Sequence, residues 1–207
     1  MTLPALPSRP IHLGAPKTPE RFPPVTVYHV NFARAISLRL YDEQGRMQAR
    51  EVRRIEELLR CHHTGLRHRL HPRLLGLIYR IARHYPARRV EIVAGYRAPS
   101  VARQKGAPRS NHMLGRAIDL RIPGVPNEQL RDYLRRFERV GLGYYPNSTF
   151  VHLDVRDDRS VYWVDWSGPG ERPRYGNVPP QPDSSFRSYG ASRPPWSFAY
   201  PAGVNIP

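Results

Sequence analysis

Cysteine and long apolar runs are nearly absent from this chain of 207 residues. Cys61 is the only cysteine, which excludes an intrachain disulfide and any metal site that needs several thiolates. No apolar run approaches the roughly 18 residues that a membrane-spanning helix requires. We therefore predict neither a disulfide framework nor a membrane span.

Lysine is also scarce, although the chain is strongly basic. Lys17 and Lys105 are the only lysines among 33 basic residues, and the formal net charge is +16. Such a charge favours a polyanionic partner, either nucleic acid or the anionic polymers of a cell envelope, unless it is only a solvated surface. The arginines are spread along the chain and no zinc-finger or RNP pattern occurs, so nucleic acid is the less favoured partner.

A secretory signal peptide is missing from the first 25 residues, which have neither a charged nor an apolar segment of the required kind. This fits a cytoplasmic chain. It fits equally well a chain whose signal was removed, or was missed when the gene was defined. The sequence pattern alone therefore leaves the compartment open.

Proline is plentiful, but most of the 23 prolines lie near the two ends of the chain. Residues 1–24 are Pro-rich and poor in large apolar residues, which indicates an extended or disordered arm. Residues 167–207 are rich in Pro, Gly and Ser without a period, and we predict a tail that forms no domain. One domain over 25–166 remains between them.

Several segments of this domain have the pattern of β-strands. Two β-like runs over 25–41, followed by a turn signal at 42–45, predict a β-hairpin. Short apolar runs predict further strands over 90–94, 117–122, 149–155 and 161–166.

Helical spacing of apolar residues predicts helices over 51–62 and 72–84. Asn127 can cap a third helix over about 128–139. The expected fold class is therefore α+β, with a small antiparallel sheet packed by about three helices.

Two imidazoles and one carboxylate lie in or beside short apolar runs. His112 and Asp119 occur in SNHMLGRAID at 110–119, and His152 occurs in FVHLD at 150–154. Two His and one carboxylate leave one position of a tetrahedral zinc ion open, which is the ligand count of hydrolytic zinc sites. The pattern thus points to a zinc site with a hydrolytic function.

Strand periodicity explains how these three side chains could meet. Asp119 and His152 each have apolar neighbours on both sides, so each projects onto one face of its strand. His112 precedes Asp119 across a turn that Gly115 permits. A lone His on a strand is more often a hydrogen-bonded core residue, so the spacing by itself leaves that alternative open.

Four motifs follow one another in an order typical of one family: GYRAP at 95–99, SNHMLGRAIDLRI at 110–122, GLGYYP at 141–146 and FVHLD at 150–154. In these motifs the chain resembles the zinc D-Ala-D-Ala carboxypeptidase-like murein peptidases, in particular the short periplasmic branch that includes murein endopeptidases. The Hedgehog signalling domain shares that fold. The resemblance covers about 26–166, and the Ser-x-His-x-x-Gly-x-Ala-x-Asp pattern is matched in full.

The resemblance implies a metal centre and an electrophilic partner. His112, Asp119 and His152 match the three zinc ligands of the family. Arg97 matches the arginine that holds the substrate and stabilises the oxyanion. Such a donor contributes about 10²–10³ in rate to reactions of this kind.

The same resemblance implies roles around the metal. Ser110 matches a residue that lines the site and supports the first ligand loop, and Tyr145 in the GYYP turn is expected to line the substrate groove. Asp154 matches the acid that follows the last ligand. Being two residues from His152, it faces the same side of a strand, where it could either orient that ligand or take a proton.

One departure from the family pattern concerns the general base. Related dipeptidases carry a Glu three residues before the last ligand, and other branches have an additional His just before it. Thr149 and Phe150 occupy these places here, and neither can act as a base. The departure puts the proton-transfer step in doubt and leaves the metal site untouched.

The expected protein is a zinc metallopeptidase that hydrolyses peptide bonds in peptidoglycan stem peptides or crosslinks, either as a carboxypeptidase or as an endopeptidase. The resemblance implies Zn²⁺ as the cofactor, peptidoglycan as the partner and a periplasmic or extracellular location, and we expect a monomer. Anionic envelope polymers would suit the basic surface.

Two alternatives remain open. The first is a catalytically weak or inactive zinc-containing module that binds the cell wall, which the missing base at Thr149 favours. The second is a basic nucleic-acid-binding protein, which only the net charge of +16 favours.

Overall fold

One eight-stranded sheet runs through the computed structural model, which describes residues 21–104, 110–168 and 171–176. The elements in chain order are β1 Val25–His29, β2 Arg34–Leu38, α1 Ala49–Leu58, α2 Pro72–His84, β3 Val90–Ala94, α3 Pro99–Gln104, a 3₁₀ helix Asn111–Leu114, β4 Ala117–Arg121, α4 Asn127–Leu134, β5 Val140–Tyr144, β6 Val151–Val155, β7 Val161–Asp165 and β8 Tyr175–Gly176.

The strand order in this sheet is β2-β1-β3-β4-β6-β5-β7-β8. The pairs β1–β3 and β5–β7 are parallel, and the other pairs are antiparallel. The α+β class is thus confirmed, but the sheet is larger than predicted and mixed rather than antiparallel. The alternation of apolar residues indicates that a segment is a strand, but it does not indicate which strand it pairs with. The parallel pairs could therefore not be predicted from the sequence.

Four α-helices occur among the described residues, where about three were predicted. The additional helix α3 has only six residues, too few to show a helical period. The prediction that Asn127 caps α4 is wrong, because Pro126 is the N-cap. Asn127 instead donates from Nδ2 to the carbonyl oxygens of Ser148 and Phe150. No helix in the described part of the chain is long and apolar enough to cross a membrane.

The predicted arm (1–24) and tail (167–207) lie mostly outside the described residues, so the two domain boundaries stay predictions. Some contacts reach past 25–166. The ring of Phe22 lies 5.4 Å from that of Tyr41, and Pro23 accepts a hydrogen bond from Tyr79. At the other end, β8 pairs with β7.

The two faces of the sheet differ in chemistry. Leu120 on β4 and Leu153 on β6 are fully buried in the core that the sheet shares with α2 and α4. Successive side chains of a strand point to opposite faces, and so Asp119 and His152 project from the other face. The strong apolar packing on one side therefore holds the polar residues on the other side in a fixed register.

β5 was not expected, because the glycines of 141–146 predict a helix end and a turn. Gly141 pairs with Asp154 and Gly143 pairs with His152 on the neighbouring strand β6. A Cβ at Gly141 would lie 2.1 Å from the Asp154 carboxylate. Glycine at these positions thus makes room for polar side chains, and it interrupts the apolar alternation that would have revealed the strand.

Candidate metal centre

A single cross-strand row brings the candidate site together. Ala94 pairs with Asp119, Asp119 with His152, His152 with Gly143, and Gly143 with Trp163. Paired residues of neighbouring strands point to the same face, with Cβ atoms about 4.5–5.5 Å apart. The register therefore places two of the three predicted ligands side by side.

The ligand atoms of the three predicted metal residues form a small triangle. His112 Nε2 lies 3.2 Å from His152 Nδ1 and 3.3 Å from Asp119 Oδ1. His152 Nδ1 lies 3.0 Å from Asp119 Oδ1. All three residues are buried, and they are the one cluster of this kind in the described part of the chain.

This triangle fits a zinc ion. Nitrogen and oxygen ligands lie about 2.0–2.1 Å from zinc, and two ligands of a tetrahedral ion are therefore roughly 3.3 Å apart. The observed separations of 3.0–3.3 Å match that edge. Two imidazoles and one carboxylate are also the ligand types that catalytic zinc sites use.

A short, closely packed loop presents His112. The Ser110 side chain accepts a hydrogen bond from the backbone N–H of His112 and so caps the 3₁₀ helix. Gly115 ends that helix at φ +63°, and a Cβ there would lie 2.0 Å from the Arg69 carbonyl oxygen. The loop can lie so close to Arg69 only because position 115 has no side chain.

Each imidazole is also fixed through its second nitrogen. His112 Nδ1 lies 2.8 Å from the carbonyl oxygen of Gly95, and His152 Nε2 lies 3.1 Å from Asp154 Oδ2. Partners of this kind, a carbonyl or a carboxylate, orient His ligands in metal sites and set their tautomers. Both rings are therefore held with one nitrogen toward the triangle.

Asp154 is enclosed on several sides. Besides His152, it contacts Arg156, whose Nε lies 2.9 Å from Asp154 Oδ1. Burial raises the pKa of Asp154, but hydrogen bonds and charge from His152 and Arg156 outweigh burial and bring the pKa below its usual value. The carboxylate is therefore an anion held between two cationic or donor groups.

The charges of the ligands depend strongly on one another. Burial acts to raise the pKa of Asp119, yet His112 and His152 bring it far below the usual range. Burial acts to lower the pKa of His152, but Asp119 and Asp154 raise it to about 9. For His112 burial prevails, and its pKa is lowered. The centre thus combines an ionised carboxylate with two closely coupled imidazoles.

Arg97 lies at the edge of the triangle. Its Nη2 is 3.3 Å from Asp119 Oδ2, the carboxylate oxygen that the two imidazoles do not contact. Its backbone N–H donates to the carbonyl oxygen of His112. A guanidinium has five N–H donors, and the contact with Asp119 uses one of them.

Tyr145 and Trp163 lie on the β5–β7 side of the centre. Burial raises the pKa of Tyr145, the nearby Asp119 charge raises it further, and a hydrogen bond from the Trp163 side chain opposes the rise. The Tyr145 ring also packs against Phe150, with centroids 5.3 Å apart. The predicted groove residue therefore packs against Phe150 and lies close enough to Asp119 to feel its charge.

Thr149 offers no base in the structure either. Its hydroxyl accepts a hydrogen bond from Arg121, which also pairs with the buried Glu91. At the position where related dipeptidases carry a Glu, the chain therefore has a hydrogen bond between Thr149 and Arg121 instead of a base.

Sequence reasoning missed three contributors: the Gly95 carbonyl, Arg156 and Trp163. A carbonyl has no residue-type signal. Arg156 could have been suspected from its spacing to Asp154, since residues two apart on a strand share a face. Trp163 lies on a strand that was predicted, but its nearness to His152 depends on the unexpected strand β5.

A family model described as peptidoglycan L,D-endopeptidase MepK matches residues 23–161, which is more than half of the chain. The chain belongs to the MepK family. The family expected from the four sequence motifs is thereby confirmed, and the matched range contains every candidate site residue.

Curated relatives of this family include a Haemophilus influenzae protein named "Probable peptidoglycan L,D-endopeptidase MepK". It is 31% identical over 125 residues, covering 56% of this chain and 64% of the relative. The Escherichia coli K12 peptidoglycan L,D-endopeptidase MepK is 28% identical over 138 residues, covering 63% of this chain and 75% of that protein. The alignment thus spans less than two thirds of the Haemophilus protein. No solved structure is significantly similar to the chain.

Proposed function

We propose that this MepK-family chain is a zinc metallopeptidase that hydrolyses peptide bonds of peptidoglycan as an endopeptidase, in the periplasm or outside the cell. The observation that carries the proposal is the triangle of His112, Asp119 and His152, with edges of 3.0–3.3 Å. Such a triangle in a family of peptidoglycan endopeptidases points to metal-assisted amide hydrolysis.

The three ligands would hold zinc through His112 Nε2, His152 Nδ1 and Asp119 Oδ1. When bound, zinc supplies Lewis-acid polarisation of a carbonyl group and a nucleophile at neutral pH. Gly95 and Asp154 keep the two imidazoles in the required tautomer and orientation. The ligands are thus arranged in advance by contacts within the chain.

Arg97 is the electrophilic partner in this proposal. Its contact with Asp119 holds the guanidinium beside the ligands while other N–H donors of the group can meet a carbonyl oxygen or a substrate carboxylate. A donor that is already in place stabilises the negative charge that develops on oxygen in the transition state without reorganising first.

Asp154 acts as an orienting residue in this proposal rather than as the proton acceptor. It contacts His152 on one side and Arg156 on the other, and it is 1% exposed. A general base must come within hydrogen-bonding reach of the proton that it takes. A carboxylate whose oxygens already face two partners is better suited to holding the ligand ring.

The deciding experiment is mass spectrometry of crosslinked muropeptides incubated with the purified protein. We expect the wild type to convert crosslinked dimers into monomers, and a chelator to abolish this conversion until zinc is added back. His112→Ala removes one ligand and should lower the rate at least about 10³-fold, since the metal centre is incomplete.

His63→Ala is the matched control, because it removes an exposed imidazole outside the centre. It should cleave at the wild-type rate. Cleavage by His112→Ala at the rate of this control, or cleavage that persists after complete chelation, would contradict the proposal. Shortened stem peptides without loss of crosslinks would show a carboxypeptidase instead.

A second candidate is a zinc-containing module that binds the cell wall without cleaving it. The specific observation in its favour is that Thr149 and Asp154 are both engaged with neighbouring side chains. Retention on purified sacculi with bound zinc, and with muropeptides unchanged, would select this candidate. Salt-dependent DNA binding that is indifferent to loss of His112 would favour the nucleic-acid alternative.

A further inference from the structure

Trp163 reaches the candidate centre along the face of the sheet, over Gly143. It lies on β7 and pairs with Gly143 on β5, which pairs in turn with His152 on β6. A Cβ at Gly143 would lie 2.6 Å from indole ring atoms of Trp163. The indole therefore occupies the space that a side chain at position 143 would fill, and it extends across β5 toward the ligand.

The indole packs on the ring of the second His ligand. The ring centroids of Trp163 and His152 are 5.3 Å apart, with 48° between the planes. Asp154 holds the same imidazole at Nε2. The ring of His152 is thus held at one nitrogen by a carboxylate and from the side by an aromatic group.

We propose that Trp163 is a positioning residue of the metal centre, which holds the His152 ring in place by direct ring contact. Gly143 leaves the space beside that ring that the indole occupies. The proposal is independent of the proposed peptidase function, because it predicts metal affinity.

Two substitutions test this contact. Trp163→Ala removes the ring, whereas Trp163→Phe retains an aromatic ring beside His152. Side chains that orient metal ligands typically change metal affinity by about 10–100-fold. We therefore expect Trp163→Ala to weaken zinc binding about 10–100-fold, and Trp163→Phe to stay within about threefold of the wild type.

Gly143→Ala tests the same contact by filling the space that the indole occupies. The added methyl group would displace the indole, so zinc affinity should fall as it does in Trp163→Ala. Trp166→Phe is the matched control, because Trp166 is a neighbouring tryptophan that lies outside the row of paired residues and is 44% exposed. Its zinc affinity should equal that of the wild type.

The measurements are zinc titrations in competition with a chromophoric chelator, and melting temperatures of the metal-free proteins. Weaker zinc binding with a metal-free melting temperature close to that of Trp166→Phe supports the positioning role. Unchanged zinc affinity in Trp163→Ala would overturn it. So would a fall in melting temperature that is as large in Trp163→Phe as in Trp163→Ala, since that pattern indicates a structural role only.

If the wild type does not cleave muropeptides at all, the peptidase proposal fails, and the zinc titrations still decide the role of Trp163 at His152.

Discussion

Two carboxylates on neighbouring strands, Asp119 and Asp154, have different roles in the proposed centre because their surroundings differ. Asp119 presents one oxygen to two imidazoles and the other to Arg97. Asp154 lies one pair further along the same face, opposite Ala117 and Gly141. It meets His152 at the nitrogen that faces away from the triangle. In the proposed centre, position along the strands, and not residue type, therefore separates the ligand from the orienting group.

This difference predicts the effect of Asp154→Asn. The amide keeps the shape of the carboxylate but loses the charge that raises the basicity of His152. We expect zinc affinity to fall about 10–100-fold and the cleavage rate to fall with it, with the rate largely restored at saturating zinc. Zinc titrations and muropeptide turnover of the same samples measure both.

Asp157→Asn is the control, because Asp157 is an exposed carboxylate that pairs with Arg116. It should leave zinc affinity and turnover unchanged. A large loss of kcat in Asp154→Asn at saturating zinc, with unchanged zinc affinity, would instead identify Asp154 as the proton acceptor.

Among the elements, the turn between the 3₁₀ helix and β4 sets the position of His112. Gly115 and Gly65 both have positive φ, +63° and +73°. Only Gly115 is in a crowded place, since nothing lies within 4 Å of a Cβ at Gly65. The two glycines therefore offer a comparison of backbone strain with and without steric conflict.

Gly65→Ala should cost about 1–2 kcal/mol of unfolding free energy, because a side chain in the left-handed region is strained. Gly115→Ala should cost more, since its Cβ also collides with the Arg69 carbonyl, and it should weaken zinc binding by moving His112. Urea unfolding and zinc titration of both variants measure this. Equal stability loss with equal zinc affinity would contradict the role assigned to the turn.

The observed limits of the helices and strands can be compared with those predicted from the sequence pattern. The limits of α2 and β3 were predicted to the residue, because both combine a clear apolar period with a flanking turn signal. The helices α1 and α4 end earlier than predicted, at Leu58 and Leu134. The strand β5 was missed because its glycines have a packing role that depends on β6.

For the molecule as a whole, the buried imidazole of His29, which is distant in sequence from the candidate metal ligands, makes the stability of the fold depend on pH. His29 is fully buried, and its ring nitrogens have no hydrogen-bond partner among the described residues. The groups that face it are Phe32, His62 and Arg60. Burial, and then the charges of His62 and Arg60, lower the pKa of His29 to about 4.

A pKa that is lower in the folded state than in the unfolded state makes protonation favour unfolding. The contribution of His29 to stability is therefore complete above about pH 6.5 and is lost as the pH falls toward about 4. At pH 5 the expected loss is about 2 kcal/mol relative to pH 7.5. His29→Phe should lack this part of the pH dependence.

Urea unfolding of the wild type and of His29→Phe at pH 7.5 and pH 5 provides the measurement. His63→Gln, which changes an exposed imidazole, should behave as the wild type does. Identical acid destabilisation in wild type and His29→Phe would mean that His29 does not resist protonation in the folded protein.

The residue types of the candidate metal centre, the α+β class and the family could all be recognised in the sequence. Ligand chemistry depends on side-chain type, and the spacing of apolar residues depends on the local geometry of helices and strands. The family motifs are contiguous in sequence. Each of these features can therefore be recognised without knowing the fold. The pairing of strands, in contrast, became visible in the folded chain. It placed Gly143 between His152 and Trp163, and it gave Asp154 the partners that hold it, because contacts across a sheet depend on register and partner choice, which no local pattern encodes.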